Sequence, residues 1–297
     1  MMSLVSERSL AAPSYQYVAI DQGQLAYRVF GTGRPLIVIN GGPGRSSQTF
    51  VPLAEKLSEK NLQVILFDQR GTGKSQLKKI DSSTISMSHM VEDLESLRNH
   101  LRIQQIAILG HSFGGMYAMS YAAKYPHRVH SLVLSASGGI DLSWQAYAKN
   151  NMLVRLSEEA KERYQYWTSD DQVRKDPVKA ALESLRVLLP AYVYDQKFVP
   201  EIEQALINPE YFFPEVNDLV WKDLRKNHYK LDGSFSDFKA PTLILAGRQD
   251  FLGEAVPLQI QASIPSSKLV FMNKCSHYPW LDQPKRYFSL IEDFLNP

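Results

Sequence analysis

The stretch IAILGHSFGGMYAMSYAAKYP, from Ile106 to Pro126, constrains this chain more than any other. An apolar strand-like run, Ile106–Leu109, enters Gly110-His111-Ser112-Phe113-Gly114, and a helix-like segment from Ser112 to Lys124 follows at once. A buried strand that turns so sharply into a helix needs residues without Cβ atoms at the crowded positions, which is what Gly110 and Gly114 supply around the serine. The turn is expected to hold Ser112 in a strained backbone conformation with its hydroxyl clear of the sheet. At the amino end of a helix, backbone N–H groups and the helix dipole favour developing negative charge beside that hydroxyl. The ordinary alternative is a glycine-flanked helix cap. The strand before and the helix after favour a nucleophile.

The same strand–helix rhythm extends along the chain. Tyr15–Ile20 and Leu25–Val29 read as a hairpin around Asp21-Gln22-Gly23, and Pro35–Ile39 reads as a buried strand running into the loop Asn40-Gly41-Gly42-Pro43-Gly44. A helix over Ser47–Lys60 and a strand at Val64–Phe67 follow. Met87, Val91, Leu94, Leu97 and Leu101 form one helical stripe, with Ser82, Ser83 and Thr84 as capping candidates, and Val129–Leu134 is the next strand. Such alternation calls for a parallel sheet covered by helices on both faces. It breaks near Gly138, where helical stretches, Asp-Pro, Leu-Pro and Val-Pro breaks and many aromatic residues take over until about Phe238. It resumes with Thr242–Ala246, a helix over Glu254–Ser263, Lys268–Met272 and a helix over Pro284–Leu295. The expected division is a core domain of residues 1–138 and 239–297, with a helical cap, or lid, over 139–238.

Composition excludes several classes. The 297 residues carry a formal net charge of +2 and no dense Lys/Arg block, so no nucleic-acid footprint is expected. No stretch approaches the roughly 20 apolar residues of a membrane span, and the opening MMSLVSERSLAAPSYQ lacks the apolar core of an export signal. A single cysteine, Cys275, cannot form an internal disulfide. A cytoplasmic location is therefore expected. No Cys/His cluster offers a metal site, so neither metal nor cofactor is expected, and Asp68 occupies the position where a phosphate-cradling loop ending in Gly73-Lys74-Ser75 would need its first glycine.

A serine hydroxyl needs a positioned base, and the base needs an orienting acid. For a nucleophile at a strand–helix elbow the acid and then the base follow it in the chain. Thr242–Ala246 leads through Gly247-Arg248-Gln249 to Asp250, and Lys268–Met272 leads through Asn273-Lys274-Cys275-Ser276 to His277. Both lie just past the carboxyl ends of strands, where chemistry gathers in open α/β sheets. Asp141 is the rival acid. His111 is adjacent to the serine on a tight turn and should not reach its oxygen. Donors for a tetrahedral oxyanion are expected from the backbone N–H of Phe113 and from the glycine loop after Pro35–Ile39, with Gly42 the assigned donor.

These motifs resemble a family. NGGPG at Asn40–Gly44, DQRGTGKS at Asp68–Ser75 and HYPWLDQP at His277–Pro284 are similar to the motifs of the proline iminopeptidase branch of the α/β-hydrolase superfamily, which typically reads HGGPG and DQRGxGxS. The resemblance implies an α/β-hydrolase fold: a mostly parallel eight-stranded sheet flanked by helices, with a helical cap inserted. It supports Ser112, Asp250 and His277 as catalytic residues and Gly42 and Phe113 as the oxyanion hole. It implies a small-molecule or short-peptide substrate. Two departures stand out. Asn40 replaces the usual histidine, and Phe251 follows the aspartate where some members place an acidic residue that binds the substrate amine. Glu201, Glu203, Glu210 and Glu215 offer carboxylates in the cap instead.

The expected reaction is attack of Ser112 on an ester, amide or peptide carbonyl, then hydrolysis of the acyl-enzyme. Trp280, three residues after the base, is the aromatic residue expected to touch substrate. Three readings follow: an aminopeptidase or amidase of the iminopeptidase type, an esterase or lactonase acting on small acyl compounds, and a non-catalytic ligand receptor.

Overall fold

A computed structural model describes residues 13–296. Residues 1–12, on which most of the expectation about an export signal rests, lie outside the described residues. The strands are β1 (Gln16–Ile20), β2 (Gly23–Phe30), β3 (Arg34–Ile39), β4 (Leu62–Phe67), β5 (Gln76–Leu77), β6 (Ile106–His111), β7 (Val129–Ser135), β8 (Thr242–Gly247) and β9 (Ser267–Met272). Eight of them run across one sheet in the order β1-β2-β4-β3-β6-β7-β8-β9, and β5 adds a ninth, two-residue strand beside β2. β1, β2 and β5 pair antiparallel, and β4, β3, β6, β7, β8 and β9 are parallel to one another. The chain is thus an α/β protein with a mostly parallel sheet flanked by helices. The sequence reading missed β5 because two residues carry no periodicity.

The central parallel strands are apolar on both faces, and their period of two sorts the side chains. Ile37, Ile65, Ile108, Leu134 and Ile244 face the helices Met87–His100 and Phe113–Lys124. Leu36, Val64, Leu109, Val133 and Leu245 face the helices Val51–Ser58 and Pro284–Leu295. Strands buried on both sides read as continuous apolar runs, which is why PLIVI and AILG were legible. The Met87–His100 helix is capped by Ser86, whose hydroxyl accepts the His89 N–H at 3.2 Å, not by Ser82, Ser83 or Thr84. Ser83 and Thr84 are instead spent on the Asp81 turn.

No strand forms between β7 and β8 among the described residues. Helices span Gln145–Leu153, Glu158–Trp167, Asp170–Lys175, Pro177–Leu188, Val199–Leu206 and Pro214–Lys226. The prolines that seemed to break this region mostly start its helices. Asp176 accepts the Lys179 N–H at 2.9 Å with Pro177 in the first turn, and Pro200 and Pro214 occupy the same place in theirs. The last of these helices packs Val216, Val220 and Leu224 into the core on the Met87–His100 side. No described helix is long and apolar enough to cross a membrane.

The DQRG segment fastens the loop after β4. The Asp68 carboxylate accepts the Ser46 hydroxyl at 3.0 Å, the Ser47 N–H at 2.7 Å and the Lys74 N–H at 2.8 Å. Gly73, at φ +52°, is obligatory because a Cβ there would lie 2.2 Å from an Asp68 oxygen. Arg70 donates from Nε and Nη2 to the two Asp93 oxygens at 2.7 and 2.9 Å, and from Nη1 to the Thr84 carbonyl. Both side chains of this pair are buried, and burial pushes the Asp93 carboxyl up to about 6 in spite of the guanidinium beside it.

Candidate active site

Three strand ends converge on one rim of the sheet. At the end of β6, Ser112 adopts φ +54° and ψ −121°, a conformation rare for an L side chain. Its neighbours hold it there. The Ser112 N–H donates to the Ser135 carbonyl at 3.2 Å, and its own carbonyl accepts the Gly115 and Gly138 N–H groups, both at 3.0 Å. Side chains on the flanking glycines would be impossible: a Cβ on Gly110 would lie 2.4 Å from the Gly114 oxygen, and one on Gly114 would lie 2.2 Å from the Ile39 oxygen. Gly115 is equally obligatory, because a Cβ would meet the Ser137 hydroxyl at 2.0 Å. The sequence reading overlooked it, since a glycine in the helix gave no signal without knowledge of that contact.

From the loop after β9, His277 places Nε2 3.0 Å from the Ser112 hydroxyl. Its Nδ1 lies 2.9 and 3.1 Å from the two oxygens of Asp250, which follows β8. A carboxylate can only accept, so Nδ1 carries the proton and Nε2 presents its lone pair to the serine. Asp250 also accepts the Leu252 N–H at 3.0 Å and is buried behind the histidine, while Ser112 and His277 line the cavity. The rival Asp141 is occupied elsewhere, accepting from Ser143 and from Gln259 at 2.9 Å. His111 donates Nδ1–H to the Ser135 carbonyl at 3.0 Å, and burial together with the nearby His277 holds its pKa well below the ordinary value. Cys275 is buried, and burial raises its thiol pKa.

The loop after β3 passes across the serine. Gly41 approaches so closely that a Cβ would lie 2.8 Å from the Ser112 Cβ, and Gly42 turns away with φ +64°. Among the described residues no backbone carbonyl takes the Gly42 N–H. The Phe113 N–H opens the first turn of its helix, where the helix itself provides no acceptor. Asn40 donates Nδ2–H to the Gly41 and Arg45 carbonyls at 3.2 and 3.1 Å, so it bridges both ends of the glycine loop.

The inserted helices close over this floor. The Asp282 carboxylate accepts the Ser276 N–H at 2.8 Å and the Tyr194 and Asp195 N–H groups at 2.9 and 3.1 Å, tying the histidine loop to the segment around Tyr192. The His277 N–H donates to the Tyr192 carbonyl at 2.9 Å. On the other side Asn217 donates to the Pro43 carbonyl at 2.7 Å. The result is a cavity of about 340 Å³ lined by Ser112, His277, Gly42, Phe113 and by apolar groups such as Met116, Trp144, Trp221 and Phe251. Phe251 packs on the His277 ring with centroids 4.5 Å apart.

Trp280 is not among the residues that line this cavity. Its ring stands edge-on to His111 at 4.8 Å and to Phe50 at 5.5 Å, and its outer edge borders a surface groove on the opposite side. The expectation that it touches substrate is corrected: one residue after Pro279 opens a short helical turn, the side chain points back into the core. Glu201, Glu203, Glu210 and Glu215 do not line the cavity either, and Glu203 is paired with Arg186. Sequence reading also missed Tyr192 and Tyr278 as lining residues, and Arg45, which follows the glycine loop directly and could have been flagged as a cation there.

Relatives agree with this architecture. The chain is similar to a proline iminopeptidase of Heyndrickxia coagulans, 26% identical over 94% of this chain and 98% of that one, and to a proline iminopeptidase of Saccharolobus solfataricus, 29% identical over 91% and 87%. A thermophilic esterase from Thermogutta terrifontis superposes with a TM-score of 0.71 at 23% identity, covering 95% of this chain and 98% of that one. The family model described as the alpha/beta hydrolase fold matches residues 34–284, and the chain belongs to that family.

Proposed function

We propose that this hydrolase is a serine hydrolase that works through an acyl-enzyme, with a core of residues 1–138 and 239–297 and a lid over 139–238. The reading rests on one observation: the unbroken hydrogen-bonded line Ser112–His277–Asp250, at 3.0 and 2.9 Å, on a strained elbow that opens into a cavity. In this cycle the Ser112 oxygen bonds to the substrate carbonyl carbon as His277 takes its proton. The Gly42 and Phe113 N–H groups stabilise the oxyanion, worth about 3–4 kcal/mol per donor. As the bond to the leaving group breaks, His277 returns the proton to the departing oxygen or nitrogen. Water then attacks the acyl carbon, giving a proton to His277, and the acid product leaves with Ser112 restored. Asp250 keeps the imidazole in the right tautomer and stabilises the imidazolium.

The substrate is a small molecule or a short peptide. An iminopeptidase-type reaction is supported by the NGGPG, DQRG and HYPWLDQP motifs and by the two relatives. A second reading, an esterase or amidase acting on substrates without a free ammonium group, is favoured by a specific observation: among the described residues no Asp or Glu lines the cavity, and Phe251 stands next to Asp250. A panel of aminoacyl-arylamides, their N-acetyl derivatives and short aryl esters decides between them. Cleavage confined to free-amine substrates would establish the aminopeptidase. Cleavage of the acetylated amides and esters would establish the second reading. No turnover of any member, with Ser112 still labelled by a fluorophosphonate, would leave only the receptor.

A further inference from the structure

The cavity lining carries one uncompensated positive charge. Arg45 is 9% exposed and is the one Lys or Arg among the lining residues. Its single side-chain hydrogen bond among the described residues runs from Nη1 to the Leu206 carbonyl at 2.8 Å, with the guanidinium stacked on Phe212 at 4.8 Å. Among the described residues no salt bridge reaches it, although a buried cation in a protein is ordinarily paired. Its position is fixed against the glycine loop, since a Cβ on Gly42 would lie 3.0 Å from the Arg45 Cδ and 3.5 Å from Nε.

Two phenols share this lining. Tyr192 and Tyr278 both line the cavity, and neither hydroxyl has a hydrogen-bond partner or is sealed from solvent among the described residues. Both are close enough to feel the Arg45 charge, yet burial pushes the Tyr192 hydroxyl up to about 12 and raises that of Tyr278 further. They therefore remain neutral donors. One guanidinium with open N–H groups and two open O–H groups put a cation and two neutral donors on the cavity lining, three residues along the chain from Gly42 in the case of Arg45.

We infer that Arg45, Tyr192 and Tyr278 form a subsite for a substrate carboxylate, so that the preferred substrate is a small ester or amide carrying a carboxylate close to the scissile carbonyl. The inference deepens the serine-hydrolase reading and rests on the same cavity. A guanidinium matches a carboxylate in shape and charge, and phenolic O–H groups complete its coordination. A free ammonium would meet repulsion here with no carboxylate to offset it. The apolar remainder of the cavity suits the short hydrocarbon part of such a molecule.

The test is a binding comparison in Ser112→Ala protein, where turnover does not interfere. Monomethyl glutarate and dimethyl glutarate are titrated at neutral pH, with fluorescence of Trp144 and Trp221 in the cavity wall as the signal. The monoanion should bind roughly ten- to a hundredfold more tightly, the range for hydrogen bonds to charged groups. Arg45→Met should bring that ratio near one, and Arg45→Lys should restore part of it. Equal affinity for the two esters, or a ratio that survives Arg45→Met, overturns the inference. If Arg45→Met does not fold, Tyr278→Phe should cut the ratio severalfold, and an unchanged ratio there is equally fatal. Failure of the underlying reading shows separately, as aryl-ester turnover that persists without the Ser112 hydroxyl.

Discussion

Two buried polar regions of this protein lie on neighbouring loops and have opposite character. At the corner behind β4, Arg70 finds both oxygens of Asp93 and the Thr84 carbonyl, while Asp68 takes donors from Ser46, Ser47 and Lys74. That corner pairs its charged groups within itself, although the Ser47 hydroxyl and the Gln69 side-chain carbonyl there have no partner among the described residues. At the rim, Arg45 has one hydrogen bond and no carboxylate, the Tyr192 and Tyr278 hydroxyls have none, and the Ser112 hydroxyl meets only His277. A buried polar group without a partner costs about 1–3 kcal/mol, more when charged. At the rim the open donors face the cavity, where an entering ligand can complete the set. In the corner the charges are matched and serve the scaffold.

The comparison can be broken by substitution, beginning at the rim. Ser112→Ala should lower hydrolysis roughly a millionfold while unfolding stability stays within about 0.5 kcal/mol. Steady-state rates and denaturant melts test both halves, and retained turnover would refute the mechanism. Asp250→Asn should lower kcat about ten-thousandfold with little change in KM, because the wrong histidine tautomer then faces the serine. In the corner the readouts reverse. Asp93→Ala leaves the Arg70 guanidinium buried without its partner and should remove about 3–5 kcal/mol of stability, with kcat unchanged well below the melting point. A loss of kcat without loss of stability would mean that the corner is no mere scaffold.

Asp282→Ala probes the seam between the regions. Its carboxylate accepts N–H groups from both the histidine loop and the Tyr192 segment, so the substitution should lower stability by about 1.5–3 kcal/mol and turnover along with it. Melts and kcat measured together would separate this from a purely local effect.

The smallest effect expected is on pH dependence, where the two regions differ in sign. The folded Asp93 pKa, about 6, lies above its ordinary 3.8. Its contribution to stability is therefore fully present below 3.8 and is lost as pH rises through about 6. The folded His111 pKa lies well below its ordinary 6.5, so its contribution is present above 6.5 and is lost as pH falls. Urea melts across this window should show a steeper acid loss in Asp93→Asn and a shallower one in His111→Gln, relative to the parent.

Much of this arrangement was legible beforehand because local rules dominate it. PLIVI, AILG and TLILA are buried on both faces and admit no reading but central strands, and their ends in the structure fall within two residues of expectation. Ser112 and Asp250 could be named because each follows such a strand, and His277 because it follows the edge strand Ser267–Met272. The cap of the Met87–His100 helix was misplaced because Ser82, Ser83, Thr84 and Ser86 are equivalent capping residues in sequence, and only the docked Asp81 turn selects Ser86. Trp280 was misjudged because proximity to His277 in the chain says nothing about which way a side chain leaves a short helical turn.

By itself, then, the sequence determined the alternation of the long strands and helices of the sheet, the elbow around Ser112 and the residues Asp250 and His277 beside it, since these follow from periodicity, glycine placement and strand ends. Only the tertiary structure decided that Glu201, Glu203, Glu210 and Glu215 do not line the cavity and that Arg45, Tyr192 and Tyr278 do. Those residues come from three distant segments with no shared period. Their juxtaposition is set by how the inserted helices settle on the rim, a matter of packing that no local pattern encodes.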